Sequence, residues 1–208
     1  MSSWWGAWEN TDQYPEQVKT FLDGAKGKNL NIHINSGGGS VFAGITIYNM
    51  LKNHAGYKTV YIDGLAASIA SVIALAGDKV VMRTGSTYMI HKPMFGIRSM
   101  LNATELRKLA TDLDSIESCI MQVYKENLKD GVNLKDVERM VNEETWMNSD
   151  EASKFFNFEV ETSLEAVACT SEYLDKFTIV PKSRIENKEC NQEQELFNLE
   201  LEILYMEE

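Results

Sequence analysis

The sequence predicts an α/β domain, and three observations carry that prediction. Apolar runs of strand length at 29–35, 57–62, 79–83 and 87–91 alternate with stretches of helical periodicity. Glycine-bearing turns, Ser36-Gly37-Gly38-Gly39 and Gly85-Ser86, punctuate them. Hydrophobic residues make up 44% of the 208 residues and charged ones 25%, enough apolar side chain for a sizeable core. A strand–helix–strand succession implies parallel strands joined by right-handed crossovers.

Pro15 suits the first turn of a helix, and Val18, Phe21, Leu22 and Ala25 recur at helical spacing; Gly24 and Gly27 help to end it. Leu30, Ile32 and Ile34 alternate with Asn31 and His33, the pattern of a strand. Residues 40–53 form the next helix, with Val41, Ile45, Tyr48 and Leu51 on one face. Tyr57 to Ile62 is a second strand and Asp63-Gly64 a turn. The small, apolar run from Ser68 to Ala76 is a fully buried helix. Lys79 to Arg83 and Thr87 to His91 are two more strands, the latter running into Lys92-Pro93.

A long helix follows over about 103–129, opened by a capping box from Asn102 to Glu105. Its apolar stripe, Leu106, Leu109, Leu113, Ile116, Ile120 and Val123, suits either its own sheet or a partner subunit. Gly131 closes it. Leu134, Val137 and Val141 mark a short helix; Ser149 caps another over 150–156, with Asn157 as its left-handed stop. Phe158 and Val160 suggest a final strand. The organisation expected is one domain over 1–181 and a polar, acidic tail over 182–208, either docking as a helix or strand or fraying.

A net charge of −11 argues against gripping a phosphate backbone, so no nucleic-acid partner is expected. Cys119, Cys169 and Cys190 are scattered and odd in number, which supports neither a disulfide scaffold nor a metal site. No apolar stretch is long enough to span a membrane, and the N-terminus lacks the regions of a signal peptide. The expectation is therefore a cytoplasmic protein. Trp4, Trp5 and Trp8 suggest either an interface or core packing.

Few residues are equipped for chemistry. Of the three histidines, His33 lies on the polar side of its strand and His54 at the polar end of a helix. His91 ends an apolar strand at a proline loop, where α/β folds place site residues. Ser68 stands where a strand hands over to a buried helix; it is either an N-cap or a hydroxyl beside unpaired N–H groups. Gly37-Gly38-Gly39 lacks the spacing of a dinucleotide loop and the lysine of a phosphate loop. That leaves an oxyanion or peptide cradle, or a plain turn.

Together and in this order, these segments resemble the Clp protease proteolytic subunit (ClpP) family of serine peptidases. Ile32-His-Ile-Asn-Ser-Gly-Gly-Gly39 with Val41-Phe-Ala-Gly44 is similar to that family's INSPGG…AG element. Gly64-Leu-Ala-Ala-Ser-Ile69 is similar to its nucleophile element, and Met89-Ile-His-Lys-Pro93 to the element carrying its histidine. Glu144-Thr-Trp-Met-Asn-Ser-Asp-Glu-Ala152 resembles the element carrying its acid. The likeness spans roughly 29–161, and its wording resembles the phage branch, the head-maturation proteases.

The resemblance implies a ClpP/crotonase-type spiral of repeated β-β-α units, with the long helix as the handle between stacked rings. It implies Ser68 as nucleophile, His91 as general base and Glu144 as third member, where Asp is usual. Gly38 and Ile69 would supply the oxyanion N–H groups. Gly37, Gly39, Met94, Phe95 and Gly96 would lie along a polypeptide substrate bound by strand addition. It implies an ATP-independent endopeptidase with no metal or cofactor, assembled as a homo-oligomeric ring and acting on capsid or scaffold proteins. The sequence departs from the family at Gly37, usually Pro, and at Glu144. The N-terminal strand and the axial loop find no match, and neither does the tail. Two rivals remain: a ring-forming scaffold with a decayed site, and a crotonase-type enzyme acting on an acyl thioester.

Overall fold

The computed structural model describes residues 13–161 and the two-residue strand Asn198–Leu199. Trp4, Trp5 and Trp8, and the 182–208 tail apart from that strand, lie outside the described residues.

The elements follow the expected alternation. Helix α1 (Pro15–Ala25) precedes β1 (Leu30–Ser36), α2 (Val41–Asn53), β2 (Lys58–Ala67) and α3 (Ile69–Ala74). Then come β3 (Lys79–Arg83), β4 (Thr87–Ile90), α4 (Ala103–Glu126), α5 (Leu134–Asn142), β5 (Thr145–Asn148), α6 (Ser149–Phe155), β6 (Phe158–Glu161) and β7 (Asn198–Leu199). One curled, mostly parallel sheet runs β5-β4-β2-β1-β7, and β3 joins both β2 and β6. Only β4 and β5 run antiparallel within it.

Strand β2 organises the site because it changes neighbours along its length. Thr59 to Ile62 pair with β3, then Leu65 to Ala67 pair with β4. Against β1 the register slips between Ile34↔Ile62 and Ser36↔Ala66. Asp63-Gly64 is therefore a bulge within a longer strand, not the expected turn. Gly64 fits there because Asn35 packs over it: a Cβ on Gly64 would stand 2.8 Å from Asn35 Oδ1. Bulges re-aim a strand, and this one directs its end into Ser68.

Alternation along β1 is complete, with Leu30, Ile32, Ile34 and Ser36 buried and the residues between them half-buried. All six residues of α3 are buried. Small residues permit this: Gly44 of α2 and Ala70 and Ala74 of α3 let the two helices approach. Lys58 is a buried cation, held by Asp78 at 2.9 Å and by the Gly56 and His54 carbonyls.

Several sequence expectations are corrected. Asn148, not Ser149, caps α6, accepting from Glu151 N–H while the Glu151 carboxylate accepts from Asn148 N–H. Asn157 is not left-handed; α6 stops as Phe156 turns extended. Helix α4 ends at Glu126, several residues before Gly131, because Asn127 caps it and its amide donates to the Val123 carbonyl. Strand β5 was missed, because TWMN is short and only Met147 of it is buried. On α4 only Ile120 and Tyr124 are buried, so the stripe meets the core through its C-terminal half, beside α3 and α5, and Leu106 is exposed. No helix among the described residues is long and apolar enough to cross a membrane.

Candidate active site

Ser68 and His91 come from adjoining strands. The β2–β4 ladder ends at Ala67↔Met89, and Ser68 N–H donates to the Met89 carbonyl at 3.0 Å. Each chain then runs one or two residues past the pairing and the side chains meet. His91 Nε2 lies 2.7 Å from Ser68 Oγ. With the imidazole protonated on Nδ1, the serine hydroxyl donates in that contact, the arrangement a general base needs.

Ser68 carries unusual backbone angles, φ 55 and ψ −127. A non-glycine residue held there stores on the order of 1–3 kcal/mol of strain. Three hydrogen bonds hold it: Ser68 N–H to Met89, and the Ser68 carbonyl accepting from both the N–H (3.1 Å) and the hydroxyl of Ser71. The sharp turn raises Oγ clear of the sheet at the start of α3. Ile69 N–H there has no hydrogen-bond partner among the described residues, so it is a donor available to a developing oxyanion.

The glycine loop closes over the turn. A Cβ on Gly38 would stand 2.7 Å from Ser68 Cβ and 2.8 Å from the Ala67 carbonyl oxygen, so only glycine fits. Its φ of +99 also favours glycine. Gly38 N–H, however, donates to Ser36 Oγ at 3.0 Å. Gly39 N–H has no partner among the described residues. In this resting geometry the unengaged N–H donors of the loop, among the described residues, are those of Gly37 and Gly39, both of which sequence reasoning gave to substrate binding. Gly37 has open space around it.

The β4–β5 pairing runs from Thr87↔Asn148 to Ile90↔Thr145 and stops one residue short of both His91 and Glu144, where Glu144 turns left-handed with a φ of 50. Its carboxylate accepts from Trp146 Nε1 at 3.3 Å. Among the described residues, the one hydrogen bond of the His91 ring is that to Ser68. The Glu144 carboxylate is therefore not bonded to the imidazole. Met94, Phe95 and Gly96 follow in an exposed, unpaired segment, Met94 72% exposed.

A small depression beside the pair is lined by Val41, Ile69, Val72, Pro93, Ile120 and Tyr124. Sequence reasoning missed Ser36, Ser71, Tyr124 and Trp146. Ser71 did leave a signal: it is a polar atom set into the otherwise apolar run from Ser68 to Ala76.

His33 and His54 play other parts. His33 stacks on Tyr61 and bonds Asp63 at 2.8 Å, and His54 bonds the Lys28 carbonyl.

Comparison with known proteins gives the family. Residues 9–155 match the sequence profile of the family described as Clp protease. The chain is 35% identical over 124 residues to the ATP-dependent Clp protease proteolytic subunit 1 of Chlamydia abortus, covering 59% of this chain and 64% of that protein. It is 32% identical over 143 residues to the proteolytic subunit of Porphyromonas gingivalis, covering 65% and 60%. For that of Bacteroides fragilis the figures are 30% over 131 residues, 62% and 61%. The chain thus spans less than two thirds of the length of these relatives. With the profile matching well over half of its residues, the chain belongs to the Clp protease family.

Proposed function

We propose that the chain is a serine endopeptidase that cleaves polypeptides through an acyl-enzyme on Ser68. The observation that carries this reading is the 2.7 Å contact between His91 Nε2 and Ser68 Oγ at a strained turn opening a helix. As Oγ bonds to the scissile carbonyl carbon, His91 Nε2 takes the hydroxyl proton, and the oxyanion turns toward the N–H groups of Ile69 and the glycine loop. The C–N bond then breaks and His91 returns the proton to the leaving amine. Water repeats the sequence on the ester, a hydrolysis that calls for no ATP, metal or cofactor.

Glu144 serves as third member once its carboxylate leaves Trp146 and reaches Nδ1 of His91, holding the productive tautomer. Assembly into a ring, or a stacked pair of rings with α4 as the handle, supplies that alignment. The exposed Met94, Phe95, Ile97 and Met100, which precede α4, support burial against another copy. The apolar depression favours a small apolar side chain before the cleaved bond. The phage-like wording of the glycine and acid elements points to capsid or scaffold proteins as substrate.

Intact mass after incubation with a fluorophosphonate, beside Ser68→Ala, tests the reading in the assembled protein. One adduct, lost in the variant, is expected. An oligomer that takes no adduct overturns it and favours the second reading, a scaffold with a decayed site, which the Trp146-bound Glu144 carboxylate supports.

A further inference from the structure

The nucleophile turn is tied to the long helix by a chain of buried hydroxyls. Ser71 Oγ lies 2.7 Å from Tyr124 Oη, and it also bonds the Ser68 carbonyl. A carbonyl only accepts, so the single Ser71 hydroxyl proton goes to Ser68, and Tyr124 O–H must donate to Ser71 Oγ. Burial pushes the Tyr124 phenol well above its ordinary pKa, so it keeps its proton. Tyr88 O–H donates to the Ser71 carbonyl at 2.8 Å and locks the same turn from β4. Every member is buried: Ser71 and Tyr88 are fully inaccessible and Tyr124 is 1% exposed.

The same face of α4 holds the other half of the pair. Glu117, two turns before Tyr124, bonds Lys92, the residue after His91, at 3.0 Å. Ile120 lies between them and lines the depression beside Ser68.

We propose that Tyr124 and Ser71 are positioning residues. The Tyr124 hydroxyl, relayed by Ser71, orients the Ser68 carbonyl and so sustains the strained backbone that presents Oγ to His91. The Tyr124 ring lines the depression, but its hydroxyl and that of Ser71 are turned to each other and act through the nucleophile. A neutral hydroxyl chain in a dry interior gains strength from its own polarisation, and loses it all when one link is cut. This inference rests on the reading of Ser68 and His91 as nucleophile and base.

The test uses the full chain in its native oligomeric state. Tyr124→Phe keeps the ring and removes the hydroxyl; Ser71→Ala removes the relay; Ser71→Thr keeps a hydroxyl. Tyr48→Phe is the control, since that buried tyrosine bonds Asn127 rather than the Ser68 turn. The saturating rate of fluorophosphonate labelling should fall about five- to tenfold in Tyr124→Phe, with half-saturation unchanged. Ser71→Ala should fall at least as far, the double variant no further than Ser71→Ala, and Ser71→Thr should recover part of the rate. Hydrogen exchange at the Ser71 amide, which donates to Ser68, should speed up in Tyr124→Phe. That readout needs no enzyme activity. Wild type that is not labelled would sink the peptidase reading, while faster exchange would still uphold the link.

Additive losses in the double variant would overturn the proposal. So would an equal loss in Tyr48→Phe, or lower melting temperature with labelling and Ser71 exchange unchanged.

Discussion

Gly44 of α2 lies flush against Ile69, the residue that follows Ser68. A Cβ on Gly44 would overlap Ile69 Cγ1 and crowd its Cβ and Cγ2 at 3.2 Å. The contact ties helix packing to chemistry, because Ile69 also carries the free N–H at the start of α3. Gly44→Ala should therefore do two things. Overpacking should cost about 1–3 kcal/mol, read from a urea midpoint. The rate of fluorophosphonate labelling should fall more than tenfold under conditions where the variant is fully folded. A stability loss with labelling intact would mean that α3 absorbs the methyl without moving its first turn.

Gly38 and Gly37 should respond in opposite ways although they are neighbours. Gly38→Ala places a methyl against Ser68 Cβ and the Ala67 carbonyl, at a φ of +99. Labelling should drop by about 100-fold or more, the scale of a misplaced oxyanion site, because the methyl pushes on the Ser68 turn. Gly37→Pro has open space at its Cβ and no N–H hydrogen bond to lose among the described residues. It should retain labelling and gain about 0.4–1 kcal/mol by stiffening the unfolded chain. Equal damage from both substitutions would show that loop flexibility, not contact with Ser68, governs the site.

The Trp146–Glu144 bond makes the role of the acid testable from both ends. Trp146→Phe removes the indole N–H and frees the carboxylate to turn toward His91, so labelling should hold or rise two- to fivefold. Glu144→Gln keeps the shape and removes the charge that stabilises the imidazolium. Labelling should fall about 100-fold or more. If Glu144→Gln matches wild type in the assembled protein, another group orients His91.

Strands β1 to β4 and the meeting of Ser68 with His91 were legible in the sequence for a physical reason. Alternation at Leu30, Ile32 and Ile34 reports burial directly, and Ser68 and His91 each sit at the end of an apolar run, where a strand leaves the sheet. What was not legible depends on distance in sequence. The bulge at Asp63-Gly64 looks like a turn until β4 replaces β3 beside β2. Strand β5 has one buried residue and exists because β4 pairs with it. The engagement of Gly38 N–H by Ser36, and the Tyr124–Ser71 link across 53 residues, are products of folding that no local pattern announces.

Acid should reveal a different network, on the far side of β1 and β2 from their buried side chains. Asp63 accepts from His33 Nδ1 at 2.8 Å and from Arg83 Nε at 2.6 Å, while Arg83 also reaches Glu161 and lies over the Tyr61 ring. Partial burial alone would raise the Asp63 pKa, but the hydrogen bonds and charges of His33 and Arg83 outweigh it and hold the carboxyl below its ordinary value. A folded-state pKa below the unfolded value, about 3.9, means that the ionised carboxylate stabilises the fold. That contribution is full above about pH 4 and fades as pH falls through the folded-state value. Asp63→Asn should therefore lower the urea midpoint at pH 7, and the gap to wild type should narrow at pH 3. A gap of the same size at both values would assign the effect to lost hydrogen-bond geometry rather than to charge. At pH 7 the variant should still label at Ser68, because the His33–Asp63–Arg83 cluster makes no contact with the His91–Ser68 pair.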